Sequence, residues 1–105
     1  MNYTPRRCGK HWLDGDCPRG VLAIMDHRDW ADRYTVFYAE PIADDGRQSW
    51  IGYISLHDNG SYYHGEMEAY QVAQYRYRNK HRYTRWTDLP TSVRAVVLRD
   101  LETQA

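Results

Sequence analysis

Two turn signals that separate strand-like runs constrain the fold of this chain more than any other feature. The pairs "DG" at 45–46 and "NG" at 59–60 contain residues that tolerate positive φ and close tight hairpins. Before the first pair, "RYTVFYAEPI" at 33–42 alternates β-branched and aromatic residues between two faces. "WIGYISLH" at 50–57 alternates in the same way between the two pairs. This spacing predicts consecutive antiparallel strands.

Further segments extend this pattern at both ends. "VLAIM" at 21–25 is a continuous apolar run, typical of a strand buried on both faces, and "SYYH" at 61–64 predicts a short fourth strand. Near the C-terminus, "DLPTSVRAVVLRDLE" places Pro90 at a helix start and valines on one stripe, which predicts an amphipathic helix. Apolar side chains at 66–77 lie about one helical turn apart, which favours a second helix, although a ragged strand also fits.

These elements predict an α+β fold, a short antiparallel β-meander of three to four strands with one or two helices packed on a face. At 105 residues the chain has the size of one domain with one core. We expect residues 1–20 to form an irregular N-terminal arm and residues 21–105 to form the single domain. Neither a signal peptide nor an apolar run long enough to span a bilayer is evident, so we expect a cytoplasmic protein without a membrane partner.

The charged side chains are segregated along the chain. The formal net charge is zero, but residues 26–68 contain nine acidic and three basic side chains, whereas residues 71–86 contain five basic and no acidic ones. Ten tyrosines and four tryptophans accompany a single phenylalanine, which predicts an adhesive, aromatic surface. Such a surface favours self-association or contact with another macromolecule. The acidic stretch can also imitate the phosphates of a nucleic acid and occupy a basic groove on another protein.

The candidate binding segment is "YRYRNKHRYTRW" at 75–86, where basic side chains alternate with aromatic ones. Guanidinium groups bind phosphates and rings stack on bases, so this combination suits single-stranded nucleic acid. It also suits an acidic protein surface, and charge balance within the domain is the third interpretation. The candidate binding residues are Tyr75, Arg76, Tyr77, Arg78, Lys80, Arg82, Tyr83, Arg85 and Trp86.

Cys8, His11 and Cys17 place two thiols and an imidazole, which are ligands that zinc prefers, within ten residues. A structural zinc site requires four ligands, and no fourth ligand stands at a diagnostic spacing. A disulfide between the two cysteines is disfavoured in a reducing cytosol. We therefore expect two reduced cysteines and no cofactor, with zinc and a disulfide as the alternatives.

His57 and His64 flank the turn at 59–60, together with Asp58 and Glu66. A hairpin that brought these groups together would allow acid–base chemistry or hold a divalent ion, so a metal-dependent enzyme is one hypothesis. A polar, hydrated hairpin tip is the simpler interpretation. The sequence contains neither a phosphate-binding glycine loop nor a G-x-S-x-G motif, and a non-enzymatic protein is the expectation.

Three segments resemble small uncharacterised proteins of phages and prophages, including those of actinobacteria. They are "ADRYTVFY" at 31–38, "YHGE" at 63–66 and "HRYTRWTDLPTSVRAVVLRDLE" at 81–102. The family pattern carries no established activity, so the resemblance transfers no catalytic residue. It implies a phage accessory protein that acts in the host cytoplasm by binding a host component. The cysteine-bearing arm and the insert at 67–80 depart from the pattern.

The leading hypothesis is therefore a phage-type accessory protein that binds a host protein without catalysis. The ratio of twelve arginines to two lysines agrees with an actinobacterial host. A nucleic-acid-binding module that uses residues 75–86 is the first alternative. A metal-dependent enzyme at His57 and His64 is the second.

Overall fold

The computed structural model describes residues 17–44, 49–57 and 60–104. Within these ranges, four strands precede two α-helices, and two short 3-10 turns at Lys80–Arg82 and Trp86–Asp88 connect the helices. The strands and helices are β1 (Val21–Asp26), β2 (Tyr34–Asp44), β3 (Ser49–Leu56), β4 (Tyr62–Glu68), α1 (Ala69–Arg78) and α2 (Thr91–Gln104). The predicted α+β class is confirmed. Neither of these helices combines the length and the apolar character that a bilayer crossing needs.

The four strands form one antiparallel sheet in chain order, β1-β2-β3-β4. Consecutive strands are neighbours, which is the simplest topology that the turn signals allow. The β3–β4 ladder runs without interruption from Trp50, opposite Glu68, to Leu56, opposite Tyr62. The β2–β3 ladder is irregular around Pro41, because proline has no N–H to donate.

Alternation along the strands directs side chains to two faces of the sheet, and each face has its own helix. On one face, Val36 of β2 packs in a cluster with Val97 of α2. On the other, Phe37 of β2 packs in a cluster with Val72 of α1. We call these the α2 face and the α1 face. The apolar run at 21–25 is fully buried because β1 contributes to both clusters. Two apolar clusters thus replace the single core that chain length predicts.

Residues 66–77, which fitted both a helix and a strand, divide between the two. β4 continues to Glu68 in register with β3, and α1 begins at Ala69. The Gln71 side-chain oxygen accepts a hydrogen bond from the Glu68 backbone N–H at 3.2 Å, which satisfies a donor at the start of the helix. The fourth strand is therefore longer than the predicted segment at 61–64.

The C-terminal helix agrees with its prediction. α2 begins after Pro90, and Val93 and Val97 are buried against the sheet. Val96 and Leu101 pack at the margin of the same cluster. The apolar stripe read from the sequence is thus the surface by which α2 contacts the sheet.

Of the predicted N-terminal arm, the structure describes residues 17–20. Cys17 is buried in the α2-face cluster, so this end of the arm is packed. Gly20 has a φ of 95°, a left-handed conformation that favours glycine, where the chain enters β1. The zinc candidates Cys8 and His11 lie outside the described residues.

Candidate functional site

The predicted binding segment at 75–86 does not form one continuous surface. Trp86 is buried in the α2-face cluster, so its ring is not available to a partner. The partly buried candidates are Tyr75, Arg76, Arg82 and Tyr83, and the exposed ones are Tyr77, Arg78, Lys80 and Arg85. Packing therefore separates the candidates into an inner and an outer set.

Two of the partly buried tyrosines attach α1, and the segment after α1, to the sheet. The Tyr75 hydroxyl lies 2.5 Å from Nε2 of His27, and the Tyr75 ring stands edge-on to Phe37. The Tyr83 hydroxyl accepts a hydrogen bond from Nε of Arg76 at 2.9 Å, and the Tyr83 backbone pairs with β1. Both rings thus belong to the packing of the domain.

Arg82 stabilises the loop between β1 and β2. Its guanidinium group donates to the backbone carbonyl oxygen of His27 at 3.2 Å and lies 5.9 Å from the Trp30 ring centroid. Its Nε donates to Nε2 of His81 at 3.1 Å. Part of the basic segment therefore serves the structure of its own domain.

Three of the four outer residues contribute to an exposed surface on α1 and just beyond it, which we call the helix patch. The helix patch consists of Tyr70, Gln74, Tyr77, Arg78 and Lys80. The Tyr77 side chain is 72% exposed, and the Lys80 ammonium group lies 4.9 Å from its ring centroid. Two grooves, of about 470 and 300 Å³, both reach Tyr77 and Ala73. The patch is thus aromatic, basic and grooved.

A pocket of about 140 Å³ lies on the α1 face beside the helix. Two pairs of residues that oppose each other in the β2–β3 ladder, Thr35 with Ser55 and Phe37 with Tyr53, contribute to its lining. Tyr75 of α1 also lines it. The pocket therefore combines buried hydroxyl groups with aromatic rings.

The aromatic rings of the pocket are steeply inclined to one another. The Tyr53 ring is tilted by 60° to Phe37, with centroids 5.8 Å apart. The Tyr75 ring stands at 70° to Phe37, with centroids 5.4 Å apart. Tyr53 and Tyr75 thus both pack edge-on or tilted against Phe37, which is itself fully buried.

Gly65 of β4 allows the Tyr53 ring to lie where it does. The two residues oppose each other in the β3–β4 ladder. A Cβ atom at position 65 would stand 2.5 Å from the Cζ and hydroxyl oxygen atoms of Tyr53, which is closer than non-bonded atoms approach. The absence of a side chain at Gly65 thus makes room for a wall of the pocket.

Asp32 stands at the rim of the pocket with both carboxylate oxygens engaged. Oδ1 lies 2.8 Å from Nε2 of His57, and Oδ2 accepts a hydrogen bond from the Tyr63 hydroxyl at 3.1 Å. The contacts with His57, which follows β3, and with Tyr63 of β4 orient the carboxylate, whose side chain remains 39% exposed. Burial raises the pKa of Tyr53, and Tyr63 and the Asp32 carboxylate add to the effect.

The loop that carries Trp30 and Asp32 is fixed by hydrogen bonds across its base. The His27 N–H donates to the Arg33 carbonyl oxygen at 2.6 Å, and Nε of Arg33 donates to Oδ1 of Asp26 at 2.9 Å. Burial by itself would raise the pKa of Asp26. The hydrogen bond and the charge of Arg33, together with a hydrogen bond from the backbone N–H of Arg28, outweigh burial and hold this pKa below its ordinary value. The pair therefore joins the end of β1 to the start of β2.

His27 is fully buried beneath this loop. Its imidazole stacks on the Trp30 ring with centroids 4.0 Å apart and 10° between the planes. Burial, reinforced by the nearby charge of Arg82, lowers the pKa of His27, so the ring is neutral at pH 7. Its Nδ1 atom is buried and has no hydrogen-bond partner within the described part of the chain.

The structure does not bring His57 and His64 together. Alternation along β4 places His64 on the α2 face, where Nε2 lies 2.8 Å from Oδ1 of Asp100, whereas His57 contacts Asp32. Asp58 lies outside the described residues. Among the residues that are described, the joint acid–base or metal site proposed for this hairpin is not formed.

Within residues 17–44, 49–57 and 60–104, no three histidine, cysteine, aspartate or glutamate side chains form a group that could hold a metal ion. Of the zinc candidates, Cys17 lies in the α2-face cluster. The zinc and disulfide hypotheses otherwise concern Cys8 and His11, so they stay predictions.

Sequence reasoning did not select the pocket residues Trp30, Asp32 and Tyr53. The segment at 26–32 is typical of a turn in the sequence; in the structure Asp26 ends β1, and Trp30 and Asp32 in the loop that follows line the pocket. One available signal was the pair Thr35 and Ser55, two polar residues at strand positions that alternate with apolar ones. Buried hydroxyl groups on one face of a sheet often mark a site rather than a core.

No family model matches this chain, and neither a curated protein nor a solved structure is similar to it at a significant level. The two surfaces described above, the helix patch and the pocket, are therefore the basis for a functional proposal.

Proposed function

We propose that this protein acts without catalysis, by binding a second protein through the helix patch. The observation that carries the proposal is Tyr77, which is 72% exposed beside the exposed Arg78 and Lys80. Tyrosine and arginine are enriched among the residues that dominate protein–protein binding energies. A ring this exposed contributes little to the packing of its own domain, and so it is available to a partner.

The partner that we propose presents an acidic surface. Residues 69–87 contain five basic and no acidic side chains. Among the described residues, neither Arg78 nor Lys80 forms an ion pair with a carboxylate. Their charges are therefore available to steer association and to complement acidic groups. The resemblance to phage accessory proteins leads us to propose a host protein, in the cytoplasm of an actinobacterial host.

A single-stranded nucleic acid is the less well supported partner. Binding by stacking uses several exposed rings along a strand. Of the four aromatic candidates in the segment, Trp86 is buried, and Tyr75 and Tyr83 are hydrogen-bonded within the domain. Tyr77 is the remaining candidate ring, and together with Tyr70 it gives the helix patch two exposed rings, which is a short surface for stacking along a strand.

A photo-crosslinker placed at position 77 tests the proposal. The matched control is position 62, because Tyr62 is also exposed but lies on the α2 face of β4. In an actinobacterial lysate, we expect position 77 and not position 62 to crosslink to one acidic protein. With that protein purified, Tyr77→Ala and Arg78→Glu should each weaken binding by about tenfold or more, and Tyr62→Ala should not.

The second measurement is binding of the protein to labelled single-stranded and duplex oligonucleotides at two salt concentrations. If binding depends steeply on salt and Arg78→Glu abolishes it, the partner is a nucleic acid and not a protein. Equal crosslinking from positions 62 and 77, or an unchanged affinity for Tyr77→Ala, would contradict the proposal.

A further inference from the structure

We propose that the pocket on the α1 face binds an alkylated ammonium group, held between tyrosine rings and the carboxylate of Asp32. The proposal does not rest on the helix patch, because the pocket is lined by residues of the strands, the β1–β2 loop and the inner side of α1. It assigns to this protein a second binding site, of a different chemistry.

The rings supply the first part of the argument. Tyr53, Tyr63 and Tyr75 line the pocket, and Phe37 lies beneath two of them. The faces of aromatic rings carry negative partial charge and attract cations, and several rings at steep angles surround a quaternary ammonium group more completely than one ring does. Three tyrosines line the pocket, and two of them are inclined by 60° and 70° to the buried Phe37 ring, so the lining contains rings in more than one orientation.

The carboxylate supplies the second part. Asp32 lines the same pocket, and the hydrogen bonds from His57 and Tyr63 hold its oxygens in place. Both partners are polar groups that donate to the carboxylate, so it is oriented before a ligand arrives. A fixed negative charge beside ring faces favours a cation and disfavours an anion.

The size and opening of the pocket supply the third part. Its volume of about 140 Å³ is similar to the roughly 150 Å³ of an engineered cavity that holds benzene, and a trimethylammonium group is comparable in breadth to that ring. Trp30 and Tyr63 at the rim are 46% and 47% exposed. The opening therefore allows the head group to enter while the remainder of the ligand extends into solvent.

Other ligand classes fit the pocket less well. An apolar ligand would cover the Asp32 charge without compensating it. A metal ion requires several oxygen or nitrogen ligands, and both oxygens of Asp32 are already hydrogen-bonded.

Choline and its neutral isostere 3,3-dimethyl-1-butanol provide a matched pair of probes for the full chain. Tryptophan fluorescence and backbone amide chemical shifts report binding. We expect saturable binding of choline, with shifts at Trp30, Tyr53 and Tyr63, and binding of the alcohol that is about tenfold weaker or less. A trimethyllysine amide is tested in parallel. Tighter binding of this probe would indicate that the natural ligand is a modified protein side chain, and tighter binding of choline would indicate a small free cation.

Two pairs of variants locate the site. Asp32→Asn should weaken choline binding by about tenfold, whereas Asp88→Asn, at another exposed aspartate, should not. Tyr63→Leu should weaken it, whereas Tyr62→Leu should not, although the two tyrosines are equally exposed at 47%. Thermal unfolding of each variant establishes that it is folded, and Asp32→Asn retains an oxygen that accepts a hydrogen bond.

Three outcomes would overturn the inference: equal affinity for choline and the alcohol, unchanged binding by Asp32→Asn, or no saturable binding of either cation at millimolar concentration. The photo-crosslinking at position 77 uses none of these residues, so either proposal can fail while the other stands.

Discussion

Each face of the sheet carries an aspartate bound by one tyrosine and one histidine, but the two aspartates are buried to different degrees. On the α2 face, Asp100 accepts a hydrogen bond from the Tyr38 hydroxyl and lies 2.8 Å from Nε2 of His64. Its side chain is 14% exposed, against 39% for Asp32 on the α1 face. Burial, with the hydrogen bond and charge of Asp100, raises the pKa of Tyr38. An aspartate, a tyrosine and a histidine thus attach α2 to the sheet on the α2 face. The same three residue types form the open rim of the pocket on the α1 face.

The surroundings of the two aspartates explain the difference. On the α2 face, a helix of 14 residues covers an apolar surface that includes Val36 and Ile54. On the α1 face, a helix of 10 residues covers part of a surface that also contains Thr35 and Ser55, and the pocket lies beside it. The α2 face is thus apolar around its helix, whereas the α1 face combines an apolar cluster with a pocket that has space for a ligand.

The largest expected effect tests this division with two adjacent residues of β3. Ile54 is fully buried on the α2 face, so Ile54→Ala should lower the free energy of unfolding by about 2–5 kcal/mol. Ser55 points to the pocket, and Ser55→Ala should cost about 1 kcal/mol or less. Chemical denaturation of both variants measures the difference. Equal losses would mean that Ser55 is as important to packing as Ile54 and would contradict a pocket at this position.

The next effect compares the two aspartates directly. Asp100→Ala should cost about 1–3 kcal/mol, because it leaves the Tyr38 hydroxyl buried without this acceptor. Asp32→Ala should cost less than about 1 kcal/mol, since its partners are exposed to water. Thermal or urea unfolding decides the order. A larger loss at Asp32 would show that the rim of the pocket is structural.

The smallest expected effect is a pH dependence that arises on the α1 face. The pKa of His27 is lowered below its ordinary value of 6.5, so the unfolded chain binds a proton at His27 that the folded chain does not. Its contribution to stability is therefore complete above pH 6.5 and decreases as the pH falls from 6.5 towards the folded pKa. Urea unfolding between pH 7 and 5 measures this slope.

His27→Gln is the control for that measurement, because it cannot titrate in this range. The slope that belongs to His27 should be missing from this variant. An identical slope in both proteins would contradict a neutral, buried His27.

The fold was largely predictable because it depends on local patterns. Alternation in β2 and β3, the apolar run at 21–25 and the valine stripe of α2 were each read correctly from sequence. The end of β4 and the placement of the helices on opposite faces were not. A segment that suits both strand and helix is decided by its partners in the sheet, which lie far away along the chain.

The candidate sites were less predictable than the fold, because they depend on contacts between segments that lie far apart along the chain. Trp86 was predicted to bind a partner, yet it is buried, because the chain after α1 crosses to the α2 face. Trp30 and Asp32 were not among the predicted site residues, and they line a pocket. Side-chain identity suggests chemistry, but burial and proximity decide whether that chemistry is accessible.

By itself, the sequence determined the order of the strands, the C-terminal helix and the separation of acidic from basic segments, since periodicity and turn residues act over a few positions. Only the tertiary structure decided which aromatic rings face water, which aspartate is buried, and that Gly65 makes room for the Tyr53 ring. These features depend on contacts between residues distant in sequence, because a sheet brings together side chains that no local pattern relates.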